Sequence, residues 1–77
     1  MESHNPPHRW VSDRMGYTVP GVSMLRNGRR NPTLSTMRLI ESSFGWPVTD
    51  QVEYAEGDWT EAFNKMLRDK YEEANKR

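Results

Sequence analysis

Apolar residues in this chain recur at helical rather than strand intervals, in short runs cut by glycines. Val11 and Met15 lie four apart with the small Ser12 beside Val11, which puts both on one face of a first helix, His8–Met15. Gly16 supplies the left-handed residue that commonly ends a helix before a chain reversal. Tyr17 anchors the turn, and Thr18 is placed to cap a second helix over residues 19–27. Val22 and Leu25, three apart, form the inward side of that helix, and its other face is left free. Pro20 stands in the first turn, where the amide it lacks has no intrahelical acceptor; Gly21 beside it weakens the helix.

Gly28 closes the second helix, and Thr33 caps a third, Leu34–Phe44, whose stripe runs through Leu34, Met37, Ile40, Glu41 and Phe44 until Gly45 ends it. Trp46-Pro47 makes a stop. Val48, Asp50, Val52 and Tyr54 alternate as a strand would, yet Thr49 could equally cap a short helix to Glu56; the helix is the preferred reading. Asp58-Trp59-Thr60-Glu61 is a capping box that opens a final helix reaching about the C-terminus. Its apolar stripe is Trp59, Phe63, Met66, Leu67 and Tyr71, flanked by the favourably ordered pairs Glu61-Lys65, Glu72-Lys76 and Glu73-Arg77. These elements predict an all-α domain of four to five helices with a long C-terminal helix: a flexible arm over residues 1–7, a helical unit over 8–56, and a helix over 57–77 that packs on that unit or on a second subunit.

Composition narrows what such a domain could do. At 77 residues and 34% hydrophobic content, with mean hydropathy −1.00, only a thin core is available. With no cysteine there is no disulfide, thiolate-bound metal or catalytic thiol. The N-terminal stretch lacks the layout of a signal peptide and no apolar run approaches spanning length, so a cytoplasmic protein is expected, with no membrane partner. Net charge is zero, but residues 1–40 carry +4, every cation being arginine, and residues 41–77 carry −4. Local charge, not the total, governs attraction to a polyanion. His4 and His8 have a metal-ligand spacing, but Pro6 and Pro7 between them forbid the helix it needs and no third ligand is near; no metal is expected. Glu53, Glu56, Asp58 and Glu61 fall in a solvated turn and cap with no apolar pocket to shift a pKa, so neither an enzyme nor a cofactor or small-molecule substrate is expected.

The stretch Val11-Ser12 through Met15-Gly16-Tyr17-Thr18 and Val22-Ser23-Met24-Leu25, followed by Asn27-Gly28-Arg29-Arg30-Asn31-Pro32-Thr33-Leu34, resembles the Cro/CI-repressor type of helix-turn-helix of phage and bacterial regulators. The continuation Phe44-Gly45-Trp46-Pro47 to Asp50-Gln51 is similar to small actinobacterial and actinophage members. The resemblance spans roughly residues 8–52. It implies sequence-specific binding of double-stranded operator DNA, with the second helix in the major groove and phosphate contacts on both flanks. Carried over by position, Val19, Pro20, Ser23, Met24 and Asn27 would meet bases, the apolar ones packing on thymine methyls. His8, Arg9, Thr18, Arg26, Arg29, Arg30 and Thr33 would meet phosphates, Arg26 also adding discrimination.

This chain departs from the pattern in three ways. The leading helix of about three turns that usually precedes the motif is missing, Arg26 stands where glutamate is frequent, and Ser12 replaces the commoner alanine. Without the leading helix the third helix lacks a cover. Either the Trp59-to-Tyr71 stripe folds back over it, or Trp59, Phe63, Met66, Leu67 and Tyr71 contact a partner, foremost a second copy in a homodimer. The rival reading is a protein-interaction module, such as an antitoxin or antirepressor, that grips its partner with the acidic C-terminal helix.

Overall fold

The computed structural model describes residues 5–54 and 57–75. Residues 1–4 of the expected arm, with His4, lie outside the described residues, as do Glu56 and the ion-pair partners Lys76 and Arg77. The described chain forms five helices: α1 His8–Met15, α2 Val19–Arg26, α3 Leu34–Phe44, α4 Val48–Tyr54 and α5 Trp59–Asn75. No strand occurs among the described residues, and none of the helices is long and apolar enough to cross a membrane.

The helix boundaries follow from local chemistry. Gly16 (φ 67°) and Gly45 (φ 81°) end α1 and α3 in the left-handed region, each donating its amide to the carbonyl four residues earlier. Thr18 and Thr33 cap α2 and α3, their hydroxyls accepting from the amides of Gly21 and Thr36 at 3.2 Å. The stretch after Trp46 is helical, as preferred, but it starts one residue before the expected cap: the Pro47 carbonyl accepts from Asp50 and Gln51, and Thr49 lies inside α4. The expected Glu61-Lys65 pair gives way to Lys65 with Asp69 at 3.5 Å, an exposed contact of little energetic weight.

One core joins the helices. Val11 and Met15 of α1, Val22 and Leu25 of α2, and Ile40 and Phe44 of α3 are enclosed together with Trp59, Phe63 and Leu67 of α5. Phe63 and Leu67 have no exposed surface at all. Trp59 stacks on Phe63 with ring centroids 4.6 Å apart, and Trp46 lies against both. At the far end of α5, Tyr71 meets Trp10 edge-on at 5.0 Å, so this one helix runs from α4 across to α1. From α4, the buried Gln51 ties the loop between α3 and α4: its Nε2 donates to the carbonyls of Met37 (2.8 Å) and Trp46 (3.0 Å). Gln51 Oε1 and Trp59 Nε1 are buried with no partner among the described residues, which offsets part of that gain.

The stripe of α5 therefore covers the core in cis. This corrects the expectation that Trp59, Phe63 and Leu67 contact a partner, because side chains sealed inside their own chain have no surface to offer one. Met66 and Tyr71 remain at the margin, half-buried. Replacing Phe63 with alanine should cost about 3–5 kcal/mol by lost burial and the cavity left behind, a large share of the roughly 4–12 kcal/mol available to a domain of this length. A chemical-denaturation curve measures it, and a loss below about 1 kcal/mol would remove α5 from the core.

Candidate nucleic-acid interface

Helix α2 divides sharply into two faces. Gly21, Val22 and Leu25 are buried, which turns Val19, Pro20 and Met24 outward as exposed residues, with Ser23 half-buried and Asn27 exposed at the end. Positions 19, 20, 23, 24 and 27 follow the helical repeat along one side, so the five residues expected to meet bases do share a surface. Val19 and Met24 are each 40% exposed. Gly21 is set by packing, since a Cβ there would come within 2.7 Å of the Tyr17 ring. Tyr17 is held in turn, because its carbonyl accepts the Ser12 hydroxyl across the turn between α1 and α2.

The flanks are basic and only lightly constrained. Beyond α2, Gly28 (φ 80°) reverses the chain, and the amides of Arg29 and Arg30 both point back at the Met24 carbonyl, at 3.0 and 3.3 Å. The Asn27 side chain also accepts from the Arg29 amide. Arg29 and Arg30 are exposed, and the Arg30 side chain donates to the Tyr17 hydroxyl at 3.3 Å. Thr18 and Thr33 are exposed at the starts of α2 and α3, and His8 and Arg9 are exposed in the first turn of α1.

Arg26, expected to meet a phosphate, is half-buried and bonded within the fold as well. Its Nη1 donates to the Pro6 carbonyl at 2.7 Å and lies 3.1 Å from His8 Nδ1, while its Nε donates to Asn64 Oδ1 at 3.3 Å. Asn64 answers by donating from Nδ2 to the Arg26 carbonyl at 2.8 Å. Half-buried there, the guanidinium is drawn below its ordinary pKa by desolvation. Arg26 thus ties the arm, α1 and α5 to the end of α2, and Asn64, which sequence reasoning passed over, is its counterpart. No signal in the sequence could have found Asn64: it lies 38 residues away on the polar side of a helix.

The chain matches no protein family, no curated protein and no solved structure.

The different surroundings of the arginines have a measurable consequence. Arg26→Ala should lower stability by about 1–3 kcal/mol, because it strands the Pro6 carbonyl and Asn64, whereas Arg29→Ala with Arg30→Ala should stay within about 0.5 kcal/mol of wild type. Thermal melts of the two variants decide, and equal melting temperatures would deny Arg26 its structural role.

Proposed function

We propose that this protein binds double-stranded DNA sequence-specifically through the outer face of α2, as a small transcription regulator of the phage or bacterial kind. The carrying observation is the division of that helix. Its inner residues are consumed by the core, while Val19, Pro20, Ser23, Met24 and Asn27 line its outer side next to the exposed Arg29 and Arg30. Rigid presentation of one helix face with cations beyond its end is what groove recognition requires: base contacts specify and phosphate contacts position. The apolar Val19, Pro20 and Met24 suit thymine methyls, and Ser23 and Asn27 supply the few polar contacts. Arg29 and Arg30, with His8, Arg9, Thr18, Arg26 and Thr33, are the proposed phosphate contacts.

The rival, a protein-interaction module gripping its partner through α5, is less well supported. The apolar stripe that would form such a seam is already buried, and what α5 offers outward is mainly charged. Pairing of two copies on half-sites roughly 34 Å apart could draw on α5 only through its margin, Met66 and Tyr71, and sedimentation at micromolar concentration reads whether the chain self-associates.

Two measurements test the reading. Changing Arg29 and Arg30 together to alanine should weaken binding to all duplexes alike and flatten the log-log salt dependence by about 1.8, roughly 0.9 for each phosphate contact; wild-type affinity with an unchanged slope would exclude both from the interface. Once selection from random duplexes has given the preferred site, replacing its contacted thymines by uracil should cost about 0.8 kcal/mol each, the worth of a buried methyl-sized group. Equal affinity for the two duplexes would exclude apolar readout by Val19, Pro20 and Met24.

A further inference from the structure

An open concavity of about 320 Å³ lies where the start of α1, the end of α2 and the middle of α5 meet. That is ample for a small anion, given that a water takes about 30 Å³. Two arginines reach it from different helices, Arg26 from α2 and Arg68 from α5, joined by His8, Asn5 and Asn27. No carboxylate of the described residues lines it, although nine of the chain's eleven acids lie after residue 40. By contrast, three other concavities on the surface carry Asp58 and Glu61, Asp69 and Glu73, or Glu73. The adjoining first turn of α1 contains no acid either, so the partial positive charge of its amides is not cancelled locally.

The two cations play unequal parts. Arg26 is held by Pro6, His8 and Asn64, so its charge is fixed in position and has no carboxylate partner among the described residues. Arg68 is exposed and makes no hydrogen bond or ion pair among the described residues. A fixed cation beside an exposed one that has no partner among the described residues, with amide side chains around them, binds an anion with little reorganisation. Ser23 and Asn27, both on the outer side of α2, line the same concavity, so an anion seated there is adjacent to anything lying along that helix.

We infer that this concavity seats a backbone phosphate of duplex DNA, and that Arg68, contributed by the C-terminal helix, is a DNA contact in addition to Arg29 and Arg30. The inference rests on the reading of α2 as the DNA-facing helix. It gives α5 two roles, since the helix that completes the core with one face carries a phosphate ligand on another.

The test measures binding of the full chain to a random-sequence duplex across a salt series, for wild type, Arg68→Ala, Arg68→Lys and, as an equal loss of charge elsewhere on α5, Lys70→Ala. Circular dichroism checks that each variant is folded, which is expected because both positions lie off the buried stripe. Arg68→Ala should reduce the salt slope by about 0.9, so that the fall in affinity between about 50 and about 200 mM salt becomes about 3.5-fold smaller. Arg68→Lys should keep the slope, since a point charge suffices for a phosphate, and Lys70→Ala should leave it unchanged. If wild type binds with a slope that Arg29→Ala/Arg30→Ala flattens but Arg68→Ala does not, the phosphate seat is refuted and the α2 reading stands. A slope lowered equally by Lys70→Ala also refutes the seat, since the effect would then be general charge. A wild type that does not bind duplex DNA overturns both.

Discussion

The structure depends on the burial of one face of α5. Helices α1 to α4 are between seven and eleven residues long, short of the roughly 12–15 residues at which even favourable isolated helices become marginal in water. They persist only by sharing a core. In a chain with 34% hydrophobic residues that core is small, and Trp59, Phe63 and Leu67 provide three of its nine enclosed side chains. Removing them would leave Val22, Leu25, Ile40 and Phe44 facing water, and nothing else in the described chain is large enough to replace them.

The same helix also orients α2. Apolar contact is non-directional and would tolerate some sliding, so the reciprocal hydrogen bonds between Arg26 and Asn64, with Pro6 and His8 joined through the same guanidinium, set where the end of α2 lies relative to α5. The turn that follows passes beside Thr60 of α5 and takes a glycine for its left-handed backbone, Gly28 at φ 80°. One end of α2 is thus tied down by polar bonds and its inner side by the core, and its outer side presents Val19, Pro20 and Met24 as a fixed surface. A surface used for reading another molecule gains from this, because little side-chain and backbone freedom is left to lose on contact.

Periodicity, caps and glycine placement were sufficient to give α1, α2, α3 and α5, the left-handed ends at Gly16 and Gly45, the threonine caps of α2 and α3, and the inward Val22 and Leu25. These depend on interactions within about four residues, which is the range that sequence spacing encodes. The division of α2 into an inner and an outer face was legible for the same reason. The helical state of Val48–Tyr54 was a closer matter, since its alternation suits a strand equally well; Gln51 decides it by reaching two carbonyls of the preceding segment, a contact that alternation does not register.

What the sequence could not assign were the roles set by distant partners. An arginine at the end of α2 gives no sign in the sequence of a structural role; only the approach of Pro6, His8 and Asn64 makes Arg26 a tie within the fold as well as an available cation. A polar Gln51 looks solvated until the chain folds around it, and Arg68 looks like any cation on an exposed helix face until α5 is laid beside α1 and α2. The stripe of α5 shows the limit most clearly: spacing determines that Trp59, Phe63 and Leu67 must be covered, but an apolar face is satisfied equally by its own chain or by another. Three-dimensional packing alone decided that the cover is internal, because hydrophobic burial specifies how much surface must leave water and not which surface receives it.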